Sequence, residues 1–120
     1  MIISDSNLEG QAVAANALGT APAADEGTGR VAYAFYGRIE ALAKRDGTDV
    51  AKVLGIVMAH EIGHLLLGRG AHSSAGIMGG RWGKFEMDLV AAGLLGFTKE
   101  QADLIRRAVV RMNADQTPAR

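Results

Sequence analysis

Apolar and polar positions change their period several times along this chain. RVAYAFY, residues 30–36, alternates: Val31, Tyr33 and Phe35 fall on one side, Ala32, Ala34 and Tyr36 on the other. A period of two, rich in aromatic and β-branched residues, predicts a strand. GRIEALAKRDG (37–47) then sets Ile39, Leu42 and Ala43 at helical spacing and stops at Asp46-Gly47, which predicts a helix closed by a turn. Thr48 reads as the N-cap of the next helix, with Asp49 in its first turn, where the helix dipole favours a negative charge. That helix, 49–68, is apolar on nearly all sides, so neighbours are expected to bury several of its faces. At 1.5 Å per residue it is about 28 Å long, and Gly68 is a natural residue to end it.

Beyond it, RGAHSSAGIMGGRWG (69–83) is a loop dense in Gly and Ser, and KFEMDLVAAGLLG (84–96) reads as a helix. Thr98 and Gln101 have the spacing of a capping box. The helix they open carries Ala102, Ile105, Ala108, Val109 and Met112 on one stripe, and 113–120 reads as a solvated tail. At the other end, MII is either a short strand or a frayed terminus. Residues 4–29 read as mostly irregular, with a short helix around 9–18. The expectation is one α+β domain over residues 1–120: mostly helical, with a buried central helix and a small sheet.

Composition narrows this picture. A chain of 120 residues fits one domain. One Trp, two Tyr and three Phe leave a core to be built from Ala, Val, Leu and Ile. Thirteen basic residues balance thirteen acidic ones without a like-charge block, against the basic patch that a nucleic-acid partner needs. With no cysteine, disulfides and Cys-ligated metals are excluded. MIISDSNLEG lacks the basic start and apolar run of a signal peptide, so the expectation is a cytosolic chain or a trimmed mature form. No apolar stretch reaches the roughly 20 residues of a membrane span, and no membrane partner is expected.

The chemistry is concentrated in HEIGHLLLGRGAH, residues 60–72, which holds all three histidines. His60 and His64 are four apart, about 40° of rotation and one turn of rise on a helix, so both imidazoles project from one face. Two neutral imidazoles so placed can bind one Zn²⁺. Glu61 is turned away from that direction but stays at the same end of the site, where it can act as a general base without being a ligand. Catalytic zinc takes three protein ligands and keeps a fourth position for water or substrate. His72 is the remaining histidine. A straight helix would carry it about 12 Å away, but Gly68 and Gly70 allow the chain to reverse and bring it back. The competing reading, a buried helix with two core histidines and a Glu, would bury a carboxylate and two imidazoles with no partner.

HEIGHLLLGRGAH followed by SSAGIM resembles the zincin metallopeptidases, and among them the metzincins, whose pattern is H-E-x-x-H-x-x-G-x-x-H followed by a Met-turn. The resemblance covers residues 60–78. It implies His60, His64 and His72 as zinc ligands, Glu61 as general base, Gly68 as turn glycine and Met78 beneath the metal. The ligand loop here is two residues longer than in that pattern. The segment is also similar to a group of short bacterial proteins with an HEIGHLLLG…HS..GIM block. By the same resemblance RVAYAFY corresponds to an edge strand that pairs with extended substrate.

Other residues have two readings each. Glu86 or Asp88 could replace His72 as third ligand; otherwise they are solvated. Met78 is a core residue or the floor of the site. Arg81 could stabilise an oxyanion, and Trp82 lines a cleft or packs. Tyr33 and Tyr36 could donate to a tetrahedral intermediate or serve the strand. Arg106, Arg107 and Arg111 read as a solvated face. The resulting expectation is a zinc-dependent metallopeptidase, with one Zn²⁺ and a peptide or protein as substrate. The alternatives are a cytosolic regulatory protease acting on one partner, or a structural zinc module without turnover.

Overall fold

A three-residue strand, Tyr33–Phe35 (β3), organises the first half of the molecule. The computed structural model describes residues 1–3, 17–22, 31–68 and 71–115. Among them β1 (Ile2–Ile3) pairs parallel with β3, Ile2 opposite Ala34. On the other side β2 (Gly19–Thr20) pairs antiparallel, Gly19 opposite Ala34. The order is therefore β1-β3-β2, and β3 is the central strand, not the edge strand that the resemblance implied. It is also shorter than the alternating run. Ala34 and Phe35 are both buried, so the sheet is covered on two faces here. Tyr36 already belongs to the next helix.

That helix, α1 (Tyr36–Asp46), buries Ile39 and Ala43 as its spacing predicts. It closes on Gly47 in a left-handed conformation (φ 64°), whose N–H and that of Thr48 bond back to Lys44 and Ala43 carbonyls. The cap of α2 (Val50–Leu67) is Asp49, whose carboxylate accepts the Ala51 N–H at 2.9 Å, so the capping residue falls one position after Thr48. Helix α3 (Lys84–Ala92) stops short of the expected residue 96 because Gly93, at φ 72°, breaks it. Helix α4 (Lys99–Asp115) opens with the expected box: the Thr98 N–H donates to Gln101 Oε1, and the Gln101 N–H to Thr98 Oγ1. It runs on to Asp115, so the first residues of the expected tail are helical. The expected helix at 9–18 falls largely outside the described residues.

Helix α2 is the hub. It packs against β2, β3, α1, α3 and α4. By length and composition it is apolar enough to cross a membrane, and 22% of it is buried inside the molecule. The burial is less than all-round. Val53, Val57, Glu61 and Gly63 are buried, whereas Met58 (40%) and Ile62 (46%) are exposed. The largest fully buried side chains are Phe35, Ile39, Met78, Val53 and Val57. A phenylalanine and two methionines, Met78 and Met87, thus join the aliphatic core that composition suggested. The result is a small α+β architecture in which one helix face looks onto the sheet and the next onto the 71–83 loop.

Candidate metal centre

His60 and His64 stand one turn apart near the C-terminal end of α2, with ring centroids 4.8 Å apart and Nε2 atoms 3.2 Å apart. The chain then reverses. Gly68 ends α2 at φ 77°, its N–H bonded to the His64 carbonyl at 3.0 Å. The returning segment sets His72 Nε2 at 3.1 Å from His64 Nε2. Gly68 therefore ends the helix as the sequence required, and His72 lies back beside His64; Gly70 lies outside the described residues. The three imidazoles bring one ligand atom each to within 4.8 Å of one another, and no described carboxylate joins the group.

The two separations that involve His64 suit a shared ion, and His60 and His72 would draw together on binding it. Tetrahedral ligands at a Zn–N distance of 2.0–2.1 Å are about 3.3–3.4 Å from each other, close to the two nitrogen separations found. Proton placement points the same way. His60 Nδ1 lies 2.6 Å from the Ile77 carbonyl oxygen. A carbonyl only accepts, so Nδ1 carries the hydrogen and Nε2 presents its lone pair to the cluster. An N–H on His64 Nε2 could serve only one of its two neighbours. A cation ligated by all three rings serves every lone pair. Burial, and secondarily the charge of His72, lower the pKa of His60 against the raising effect of the Ile77 bond. This keeps the ring in the neutral form that binds metal.

Residues 73–79 form the wall facing α2. The Ser73 N–H donates to the Met78 carbonyl at 2.9 Å, and the Gly79 N–H to the Gly76 carbonyl at 3.0 Å. Met78 is fully buried. Its sulfur occupies the space that a side chain on Gly63 would need, so the glycine inside HEIGH is what lets this turn press against the helix. Met78 thus lies in the core and directly against the helix turn that carries the two histidines. Trp82 meets the His60 ring edge-on, with centroids 5.5 Å apart.

Glu61 faces the sheet side of the same helix. It is buried (7% exposed), and desolvation pushes its pKa up to about 7. Gly19 on β2 sits directly over it: a Cβ there would lie 2.8 Å from Glu61 Cγ. Beside it a small, largely apolar pocket is lined by Met1, Ala32, Tyr33, Ala34, Met58, Glu61 and Ile62.

The alternative third ligands are placed elsewhere. Glu86 Oε2 accepts the Gly83 N–H at 2.9 Å and caps α3, while Asp88 pairs with Lys84 at 3.5 Å in solvent. Arg81 is exposed, as are Tyr36 and the α4 arginines, of which Arg106 pairs with Asp103. Sequence reasoning missed the Ile77 carbonyl, Gly19 and Gly63. The carbonyl leaves no side-chain signal, and a glycine's close contacts come only from tertiary structure. No family model, curated protein or solved structure matches the chain.

Proposed function

We propose that this protein is a zinc-dependent metallopeptidase, with His60, His64 and His72 as the ligands of one Zn²⁺ and Glu61 as the general base. The observation that carries the reading is the convergence of three imidazole nitrogens, two from the H-E-x-x-H helix and one from the loop that follows it, with Glu61 buried on the sheet-facing side of that helix. A structural zinc site is typically closed by four protein ligands. Here the described residues supply three, and His72 is exposed, which favours a site open to substrate. Imidazole ligands suit zinc, though nickel and cobalt also bind such sets.

When bound, the ion would act as a Lewis acid on a peptide carbonyl and activate a water molecule. Glu61 would take a proton from the attacking water as the water oxygen bonds to the carbonyl carbon. It would then pass the proton to the nitrogen as the C–N bond breaks. A carboxylate whose pKa is raised by burial suits both halves of this transfer. The pocket beside Glu61 offers a peptide an apolar foothold. The zincin resemblance of residues 60–78 supports the same assignment.

The test combines metal analysis with hydrolysis of a fluorogenic peptide library, with and without chelator. One equivalent of zinc and chelator-sensitive turnover are expected. Glu61→Gln should keep the metal and lose at least about 100-fold in rate. Full turnover by that variant would remove Glu61 from the chemistry, and stoichiometric zinc with no turnover on any peptide would favour the structural module.

A further inference from the structure

We infer that Gln101, on α4, is a positioning residue for the metal centre and acts through Ser73 on His72. The proposal rests on the three-histidine site described above. His72 lies beyond the end of α2, on the 71–83 loop, and it is the one exposed member of the trio. A ligand on such a segment binds metal well only if something else fixes it.

The fixing contacts form a directed chain. The Thr98 N–H donates to Gln101 Oε1 at 3.1 Å, which settles the orientation of the amide and leaves Nε2 as the donor. Gln101 Nε2 donates to Ser73 Oγ at 3.0 Å, 28 residues away in sequence. Ser73 Oγ donates in turn to the Ala75 carbonyl at 2.8 Å, and the Ser73 N–H to Met78. Every polar group of Ser73 named here is used, and Ser73 is the residue after His72. A second tie runs alongside: the Ile77 N–H donates to the Gly96 carbonyl at 2.8 Å, from the segment that leads into α4. The capping box alone would not require the amide to reach Ser73. Gln101 thus both starts α4 and holds the segment that presents the third imidazole. Outer partners of this kind tune metal sites by orienting their ligands.

The test measures zinc affinity by competition with a chromophoric chelator, with Co²⁺ absorption as a report on ligand geometry and thermal melting as a control. Gln101→Ala and Ser73→Ala are each expected to weaken zinc binding about 5- to 10-fold. The double variant should weaken it no further than either single one. Ser73→Thr, which keeps the hydroxyl, should restore affinity. Thr98→Ala removes the cap but leaves the amide next to Ser73. It should lower the melting temperature while leaving zinc affinity and the Co²⁺ spectrum unchanged. Equal affinity in all the variants, or losses that only track melting temperature across Thr98→Ala and Gln101→Ala, would overturn the role of Gln101 while the metal site stands. Absence of saturable zinc binding by the unaltered chain would sink the site and this proposal together.

Discussion

At the scale of single residues, the site depends as much on glycines as on histidines. Gly76 illustrates this. Its φ is +80°, and a Cβ there would lie 2.6 Å from the Gly96 backbone oxygen. That oxygen accepts the Ile77 N–H, and the Ile77 carbonyl accepts from His60. Gly76→Ala therefore combines a left-handed backbone penalty with a clash against a carbonyl that is not free to move. A loss of about 2–4 kcal/mol is expected in chemical denaturation, with weaker zinc binding because the Ile77 carbonyl shifts. A variant as stable as the parent would show that the 71–79 turn is loosely held. The clustering of the three histidines was legible because metal chemistry restricts residue type and spacing. The turn glycine was legible too, because His72 had to return. Gly19 and Gly63 were not: in the sequence they stand among many small residues, and only the approach of Glu61 and Met78 gives them a purpose.

At the scale of elements, type was easier to read than extent. Helix α1 and the opening of α4 follow their spacing and capping residues closely, since those signals are local. The strand, α3 and the start of α2 differ from expectation for reasons that lie in neighbouring chain. RVAYAFY alternates for seven residues, yet only Tyr33–Phe35 is strand, because the chain enters α1 at Tyr36. Gly93 ends α3 in a left-handed turn, although Leu94 and Leu95 continue the apolar pattern. Thr48 and Asp49 are both good capping residues, and the turn that closes α1 leaves the cap to the second. The Thr48 N–H is taken by Ala43 in closing α1, whereas Asp49 accepts from Ala51. Asp49→Ala should therefore cost about 1 kcal/mol and Thr48→Ala much less, as read from paired denaturant midpoints. The reverse ranking would place the cap where the sequence first suggested it. The α4 stripe is honoured only in part. Ala108 is buried, but Val109 and Met112 are exposed, because the helix runs on past the body it packs against.

At the scale of the whole molecule, the three histidines bring together two regions: the hub helix and the loop tied to α4. An ion bound there would cross-link them, so binding free energy should appear as folding stability. Its pH dependence follows from the groups beside it. In the metal-free protein, Glu61 titrates at about 7 when folded against 4.5 otherwise. The folded state thus holds the extra proton, and this contribution to stability falls as pH rises from 4.5 towards 7. His60 has a folded pKa below its ordinary 6.5. The unfolded state then holds more protons at low pH, so the His60 contribution is lost as pH falls below 6.5. The two slopes oppose each other below pH 6.5, and between pH 6.5 and 7 the Glu61 slope acts alone. Zinc binding at the proposed site would change the balance, because imidazoles bind the ion only when unprotonated. With free zinc at about 100 times the dissociation constant, stabilisation near 2.7 kcal/mol is expected, an upward shift of about 10 °C in melting temperature. That shift should shrink steadily from pH 7.5 to pH 5. Paired thermal melts with zinc and with chelator, taken at each pH, isolate the metal term from the protein's own titration. A shift that stayed constant down to pH 5 would mean that the stabilising ion is held by carboxylates and not by the three imidazoles.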